Sequence, residues 1–115
     1  MDIADAPDVR SLLRVDVQRH PDATTVVLAG EIDMVTCAQV SQVVTELLHD
    51  DQRVPVVLDM ADVTFLDSSG IRALLICHKD AKRFGRQIDI RPVHDRVRQV
   101  LQVCGLEELL LQPAS

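Results

Sequence analysis

The sequence VLDMADVTFLDSSG at residues 57–70 contains the clearest secondary-structure signals in the chain. Residues 54–60 form an apolar run of the kind found in a parallel strand that is covered on both faces. A short loop follows, and the D-S-S-G motif then begins a long helix. We expect this helix to end near Phe84, with Gly85 just beyond its C-terminal cap. The segment therefore predicts a strand, a loop and a helix in succession.

The residues before this segment predict two strands and a helix. Residues 11–19 alternate between apolar and polar side chains, which indicates a half-buried strand. The turn sequence at residues 20–23 leads into a second strand at residues 24–29, which we expect to pair antiparallel with the first and to end at Gly30. A helix is predicted from Val35 onward because apolar residues recur at helical spacing, namely at Val40, Val43, Val44, Leu47 and Leu48.

The residues after the long helix predict one more strand and two helical segments. Residues 87–91 form a short strand, and we expect Pro92 to lie in the first turn of a third helix. Gly105 ends that helix, and residues 106–111 form one or two further helical turns. The apolar stripe of the third helix consists of Val93, Val97, Val100, Leu101 and Cys104.

The predicted elements follow one another in the order β-β-α-β-α-β-α-α. Helical crossovers between the later strands require parallel pairing. The predicted fold is therefore α/β, a small mixed sheet of about four strands with helices packed against it. We expect the 115 residues to form a single domain at residues 11–111, preceded by a flexible acidic arm at residues 1–10 and followed by a tail at residues 112–115.

The charge balance excludes several classes of partner. Lys and Arg number 12 and Asp and Glu number 18, which gives a net charge of −6. Because no basic run is present either, the sequence predicts no nucleic-acid binding and no docking on an anionic membrane. No apolar run approaches the roughly 20 residues of a membrane span, and residues 1–10 lack the apolar core of a signal peptide. We therefore expect a cytoplasmic globular protein.

The cysteines do not indicate a metal site or a disulfide framework. Cys37, Cys77 and Cys104 are an odd and widely spaced set without the usual ligand spacing of zinc. We expect all three thiols to be buried. A redox-sensitive pair of Cys77 and Cys104 stays open, because a sequence does not give the distance between them. No Walker A or dinucleotide-binding glycine pattern is present, so the sequence predicts no cofactor and no metal.

Ser68 and Ser69 lie where the long helix begins, and two interpretations of them are open. In the first, the serines only cap the helix. In the second, a hydroxyl is displayed at a helix N-terminus, where free backbone N–H groups and the helix dipole favour a phosphate or another anion. The residue types alone are compatible with both.

The outward side of the same helix carries one apolar residue among charged ones. Helical spacing places the buried arc at Ile71, Leu74, Leu75, Cys77, His78 and Ala81. Ile76 instead falls between Arg72 and Lys79 on the exposed side. A single exposed apolar residue is common and can arise by chance. The functional alternative is that Arg72, Ile76 and Lys79 extend the Ser68 region into a partner-binding surface.

Three short motifs resemble the STAS domain family and, more narrowly, the bacterial anti-sigma factor antagonists. Residues 30–33 read GEID, residues 56–59 read VVLD, and residues 65–71 read FLDSSGI. The likeness extends over residues 11–111 in the same order of elements. It implies the STAS fold for this chain.

The resemblance also implies a phosphorylation switch at Ser68. Such antagonists bind an anti-sigma factor serine kinase, a GHKL-type ATPase, and thereby release its sigma factor. Phosphorylation of the first serine of the motif, here Ser68, ends the binding, and a PP2C-type phosphatase reverses it. Asp33 matches an acidic residue needed for partner recognition, and Ser69 matches a neighbouring hydroxyl with a structural role. The implied partner-binding residues are Asp33, Asp67, Ser68, Ser69, Gly70, Arg72, Ile76 and Lys79.

Three alternative functions follow from the same residues. A serine hydrolase would need G-x-S-x-G, but Leu66 or Asp67 occupies the place of the first glycine. A receiver domain phosphorylated on Asp59 would need an acidic pair and a late lysine that the chain lacks at the expected places. A STAS module of a transport system or signalling scaffold stays open, because a fold does not determine a function. We therefore expect a binding switch and not an enzyme.

Overall fold

The computed structural model describes residues 12–50 and 52–111, so the predicted acidic arm at residues 1–10 and the predicted tail at residues 112–115 lie outside the described residues. The described elements follow the predicted order β-β-α-β-α-β-α-α, which is thereby confirmed. They are β1 (Leu13–Arg19), β2 (Thr24–Ile32), α1 (Cys37–Leu48), β3 (Val56–Leu66), α2 (Ser68–Arg83), β4 (Ile88–Val93), α3 (Asp95–Val103) and α4 (Glu107–Leu111).

The four strands form one mixed sheet in the order β1-β2-β3-β4. The first pair, β1 and β2, is antiparallel, and its turn is closed by the His20 N–H, which donates to the Ala23 carbonyl at 2.9 Å. The other two pairs are parallel, as the helical crossovers required. In consequence β2 and β3 end at the same edge of the sheet.

The second and third strands are longer than the sequence predicted. Gly30 does not end β2, because its φ of +123° lets the chain pass close to Leu12 and continue to Ile32. The parallel pairing with β3 shifts register beside Gly30 and resumes at Glu31, opposite Phe65. The loop predicted after residue 60 is therefore part of β3. This extension brings the residues that follow both strands side by side.

The core lies between the sheet and its helices. Apolar residues of β2, β3 and β4 meet those of all four helices, and α1 and α2 also pack against each other. The largest fully buried side chains are Leu28, Ile32, Leu58, Met60, Leu74, Leu101, Val26, Val40, Val44, Val56, Val63 and Val97. The sheet and helices thus provide a rigid support for the loops at the sheet edge.

The third helix begins later than predicted. Pro92 belongs to β4, not to the first helical turn, and the helix starts at Asp95 after His94. β4 is an edge strand, where a proline without an N–H is tolerated. The His94 ring nitrogen Nδ1 accepts from the Arg96 N–H at 3.1 Å and caps the helix. Val93 consequently lies in the strand and does not contribute to the predicted helical stripe.

A buried arginine joins the end of α1 to the start of β3. Arg86 is 8% exposed, and its guanidinium donates to the carbonyls of Leu47, Leu48 and Val54 at 3.0–3.2 Å. The last carbonyls of a helix lack intrahelical donors, so this cation satisfies them where water cannot. Within residues 12–50 and 52–111, no helix is long and apolar enough to cross a membrane.

Candidate functional site

Ser68 is the first residue of α2, at the sheet edge where β3 ends. The helix is capped by the preceding Asp67, whose Oδ1 accepts from the Gly70 N–H at 3.0 Å. The interpretation in which Ser68 or Ser69 caps the helix is therefore wrong. A carboxylate is the stronger acceptor at the positive end of the helix dipole, and its use leaves both serine hydroxyls uncommitted.

The two serine hydroxyls differ in exposure. Ser68 is exposed, whereas Ser69 is half-buried and lines a groove between α1 and α2. Across the described part of the chain, neither hydroxyl makes a hydrogen bond. Ser68 is thus a primary-alcohol oxygen that an incoming reagent can reach, held on the first turn of a helix.

Gly70 allows α2 to begin directly against the end of β2. A Cβ at this position would lie 2.6 Å from the Ile32 carbonyl oxygen and 2.5 Å from Cδ1 of Leu66. The Asp67 N–H donates to the same Ile32 carbonyl at 3.2 Å. A larger residue at 70 would push the helix start, and Ser68 with it, away from the sheet edge.

Asp33 lies in the turn between β2 and α1, at the neighbouring strand end. Its Oδ1 accepts from the N–H groups of Val35 and Thr36 at 2.9 and 3.0 Å. The Thr36 hydroxyl in turn accepts from the Asp33 N–H at 3.0 Å and donates to the Glu31 carbonyl at 2.7 Å. Asp33 therefore shapes this turn, a structural role that the sequence analysis did not assign to it. Its role in partner recognition stays a prediction.

The turn also explains why α1 begins at Cys37 and not at Val35 as predicted. Val35 and Thr36 are engaged by Asp33, so the first helical carbonyl bond is the one from the Cys37 N–H to the Asp33 carbonyl at 2.8 Å. Thr36 is 2% exposed. The sequence analysis missed Thr36, although a threonine three residues after an aspartate at the start of a helical pattern is a capping signal.

Three exposed apolar side chains lie at the sheet edge where β2 and β3 end, and none of them was predicted from the sequence. Met34 and Val35 follow β2 and are 77% and 63% exposed, and Phe65, at the end of β3, is 47% exposed. We call these three residues the apolar rim. They lie in a turn and at a strand end, so a helical wheel does not reveal them. Exposed apolar side chains at the same sheet edge as a reachable hydroxyl are compatible with a protein-binding surface.

The outward side of α2 exposes the side chains that the helical spacing predicted. Ile76 is 42% exposed, and the side chains of Arg72 and Lys79 are exposed on either side of it. Arg72 and Ile76 line the α1–α2 groove, a depression of about 280 Å³ whose walls and floor are Cys37, Ala38, Ser41, Ser69, Arg72, Ala73 and Ile76. Lys79 does not line the groove and lies further along α2.

The cysteines are not all buried, contrary to the prediction. Cys77 is buried, Cys37 is half-buried and Cys104 is exposed; all three are free thiols. Cys104 is the C-terminal cap of α3, so it lies just beyond the helical turns whose apolar side faces the core. Burial, assisted by the charge of Asp80, raises the pKa of the Cys77 thiol to about 12. Cys77 is therefore a protonated, unreactive thiol at neutral pH. The Cys77–Cys104 pair that the sequence left open is not formed in this structure.

Comparisons with known proteins identify the family and the fold. The STAS domain family model matches residues 14–114. The anti-sigma F factor antagonist of Paenibacillus polymyxa is 26% identical over 98 residues, which are 85% of this chain and 84% of the relative. The anti-sigma-B factor antagonist of Staphylococcus aureus strain NCTC 8325 is 25% identical over 85% of this chain and 90% of its own length.

A solved structure shows the same fold over nearly the whole chain. The crystal structure of an anti-sigma factor antagonist from Mycobacterium paratuberculosis superposes with a TM-score of 0.71 and 27% identity, and the match covers 90% of this chain and 87% of the other. Fold, element order and the family model agree, so this chain belongs to the STAS domain family.

Proposed function

We propose that this protein is an anti-sigma factor antagonist whose binding is switched off by phosphorylation of Ser68. The unphosphorylated form binds an anti-sigma factor, a serine kinase of the GHKL type, and so releases the sigma factor held by that kinase. The observation that carries this proposal is the exposed Ser68 hydroxyl, which Asp67 frees from helix capping. The names of the relatives support the same function.

The proposed modification is an ordinary phosphoryl transfer. The Ser68 Oγ attacks the γ-phosphorus of ATP held by the kinase, the bond from that phosphorus to the bridging oxygen breaks, and ADP leaves. A base of the kinase takes the hydroxyl proton. A metal-dependent phosphatase of the PP2C type restores Ser68 by directing a water to the phosphorus, which releases inorganic phosphate. We assign both reactions to the partners and no catalytic activity to this chain.

The surroundings of Ser68 make the modification effective. Binding buries the apolar rim, Ile76 and the serine itself in one interface. A phosphate adds about −1.5 to −2 charges at this position, and a buried like-charge contact or an unpaired charge costs several kcal/mol. A free-energy change of about 5.5 kcal/mol converts a mostly bound population into a mostly free one. The free-energy cost of a single phosphate on Ser68 is thus comparable to the change needed to release the partner.

The first test identifies the partner. Wild-type and Ser68→Asp proteins serve as baits in the source organism, and bound proteins are identified by mass spectrometry. Capture of a GHKL-type ATPase by wild type and its loss with Ser68→Asp is the expected result. Equal capture of a transporter subunit or a scaffold protein by both baits would overturn the proposal in favour of another STAS module.

The second test measures affinity for the purified kinase. Ser68→Ala should bind as wild type does and resist phosphorylation, whereas Ser68→Asp should bind at least about 100-fold more weakly, the equivalent of about 2.7 kcal/mol. Gln99→Glu adds the same charge at an exposed position of α3 and is the matched control. Equal affinities of Ser68→Ala and Ser68→Asp would contradict the switch.

A further inference from the structure

Arg72 lies one helical turn after Ser68 on the same side of α2. The two residues are four positions apart, which makes them neighbours on the helix surface. Side chains of a helix point back toward its N-terminus, so the Arg72 guanidinium extends toward the turn that carries Ser68 and Ser69. Its place beside Ser69 in the α1–α2 groove agrees with this direction.

The Arg72 cation has no ion-pair or hydrogen-bond partner among the residues that the structure describes. Over residues 12–50 and 52–111, the side-chain ion pairs are Arg19–Asp50, Arg91–Asp89 and Arg98–Glu107, and Arg72 also makes no hydrogen bond. Asp67, the acidic residue just before Ser68, is engaged with the Gly70 N–H. Within the described residues, Arg72 is therefore an exposed, unpaired cation one helical turn after Ser68.

A phosphate on Ser68 is well suited to this arginine. An acidic group placed four residues before a basic one is the favourable order on a helix, because it also complements the dipole. The planar guanidinium binds two phosphate oxygens at once, which a lysine ammonium does not do. The phosphate would also lie at the N-terminus of a 16-residue helix whose first N–H groups have no intrahelical acceptor.

We infer that Arg72 forms an intramolecular ion pair with the phosphate on Ser68, and that phosphorylation thereby withdraws this cation from the partner-binding surface. The modification then acts twice: it introduces negative charge and it removes the positive charge that Arg72 offers to an acidic group of the partner. The inference rests on the proposed phosphorylation of Ser68 and assigns Arg72 as the positioning residue of the switch.

The test is a ³¹P NMR titration of the chain with phosphoserine incorporated at position 68, in 0.1 M salt and without any partner. The second pKa of phosphoserine is about 6, and a nearby arginine favours the dianion. Arg72→Gln should raise this pKa by roughly 0.3 to 1 pH unit, and Arg72→Lys should restore part of the difference.

Lys82→Gln is the matched control, because it removes the same charge from the exposed side of the same helix. Lys82 lies 14 residues after Ser68, or about 21 Å at the helical rise, which is beyond the screening length of about 10 Å at 0.1 M salt. The second pKa of the phosphoserine in the Lys82→Gln protein should stay close to that in wild type. Equal pKa values in Arg72→Gln and Lys82→Gln would overturn the inference.

A binding cycle with the purified kinase tests the second half of the inference. If Arg72 is withdrawn from the partner, phosphorylation should weaken binding by a smaller factor in Arg72→Gln than in wild type. If phosphorylation weakens kinase binding of Arg72→Gln by an equal or larger factor than that of wild type, charge repulsion alone drives the switch. That result would overturn the claim that Arg72 is withdrawn from the partner. If phosphorylation of wild type does not weaken binding at all, the proposed function fails, whereas the NMR result stands on its own.

Discussion

Two loops at the same edge of the sheet each contain an aspartate and a hydroxyl residue, but the hydroxyl is hydrogen-bonded in one loop and exposed in the other. The turn at residues 33–36, between β2 and α1, and the junction at residues 67–70, between β3 and α2, both begin with an aspartate directly after a parallel strand. In the turn, Thr36 is buried and its hydroxyl hydrogen-bonds to the Asp33 N–H, the Asp33 carboxylate and the Glu31 carbonyl. In the junction, the Ser68 hydroxyl is exposed and unbonded.

The difference follows from where each aspartate places its carboxylate. Asp33 reaches forward to two N–H groups of its own turn, and the hydroxyl closes the remaining bonds with Glu31. Asp67 satisfies the helix by itself through the Gly70 N–H. Because Asp67 caps the helix, the Ser68 hydroxyl is not needed for capping. It is therefore available to accept a phosphoryl group.

The contact of the 67–70 junction with the ends of β2 and β3 is the strongest point at which to break this arrangement. Gly70→Ala places a methyl group against the Ile32 carbonyl and the Leu66 side chain, and neither the backbone nor the packed core can move easily. We expect unfolding free energy to fall by about 3 kcal/mol, measured by urea denaturation.

Gly105→Ala is the control for this substitution. An added Cβ at Gly105 meets no atom within 4 Å, but its φ of +72° makes any side chain there costly. We expect a loss of about 1 kcal/mol from the backbone conformation alone. A Gly70→Ala protein no less stable than Gly105→Ala would show that Gly70 is not in tight contact with Ile32 and Leu66.

Thr36→Val sharpens the comparison between the two hydroxyls, because valine has nearly the same shape as threonine. The substitution leaves the Asp33 N–H and the Glu31 carbonyl without their partner in a buried place. We expect a loss of about 2 kcal/mol in urea denaturation.

Ser68→Ala is the counterpart in the other loop. It removes an exposed hydroxyl without a hydrogen bond, so unfolding free energy should change by less than about 0.5 kcal/mol. If Ser68→Ala were as costly as Thr36→Val, the serine would be a structural residue and the distinction between the loops would not hold.

The sequence predicted the order and type of the elements because each carries its own periodicity. The ends of β2 and β3 were wrong for a reason that local patterns do not contain. Gly30 has the appearance of a terminator, but pairing with β3 carries the strand through it to Ile32. Pro92 was misplaced in a helix for the same reason, since an edge strand accepts it.

The candidate site was predicted in part. The helical spacing of α2 correctly predicted that Ile76 is exposed between Arg72 and Lys79, because sequence separation in a helix determines which side a residue lies on. The apolar rim was missed because Met34 and Val35 lie in a turn, where spacing carries no direction. The choice of Asp67 over Ser68 as the cap was also missed, since both residue types are good caps and only the structure places the carboxylate on the Gly70 N–H.

A substitution with a smaller expected effect than Thr36→Val tests that choice directly. Asp67→Ala removes the acceptor of the Gly70 N–H and should lower unfolding free energy by about 1 kcal/mol, and Asp67→Asn, which retains an acceptor, should cost less. If Asp67→Ala is as stable as wild type, another acceptor has replaced the carboxylate, and the neighbouring Ser68 hydroxyl is the first candidate. The double substitution Asp67→Ala with Ser68→Ala would then be less stable than the sum of the single changes, and Ser68 would be a reserve cap as well as a phosphate acceptor. With Asp67 as the sole cap, the two changes should add, because the serine contributes nothing to the helix start.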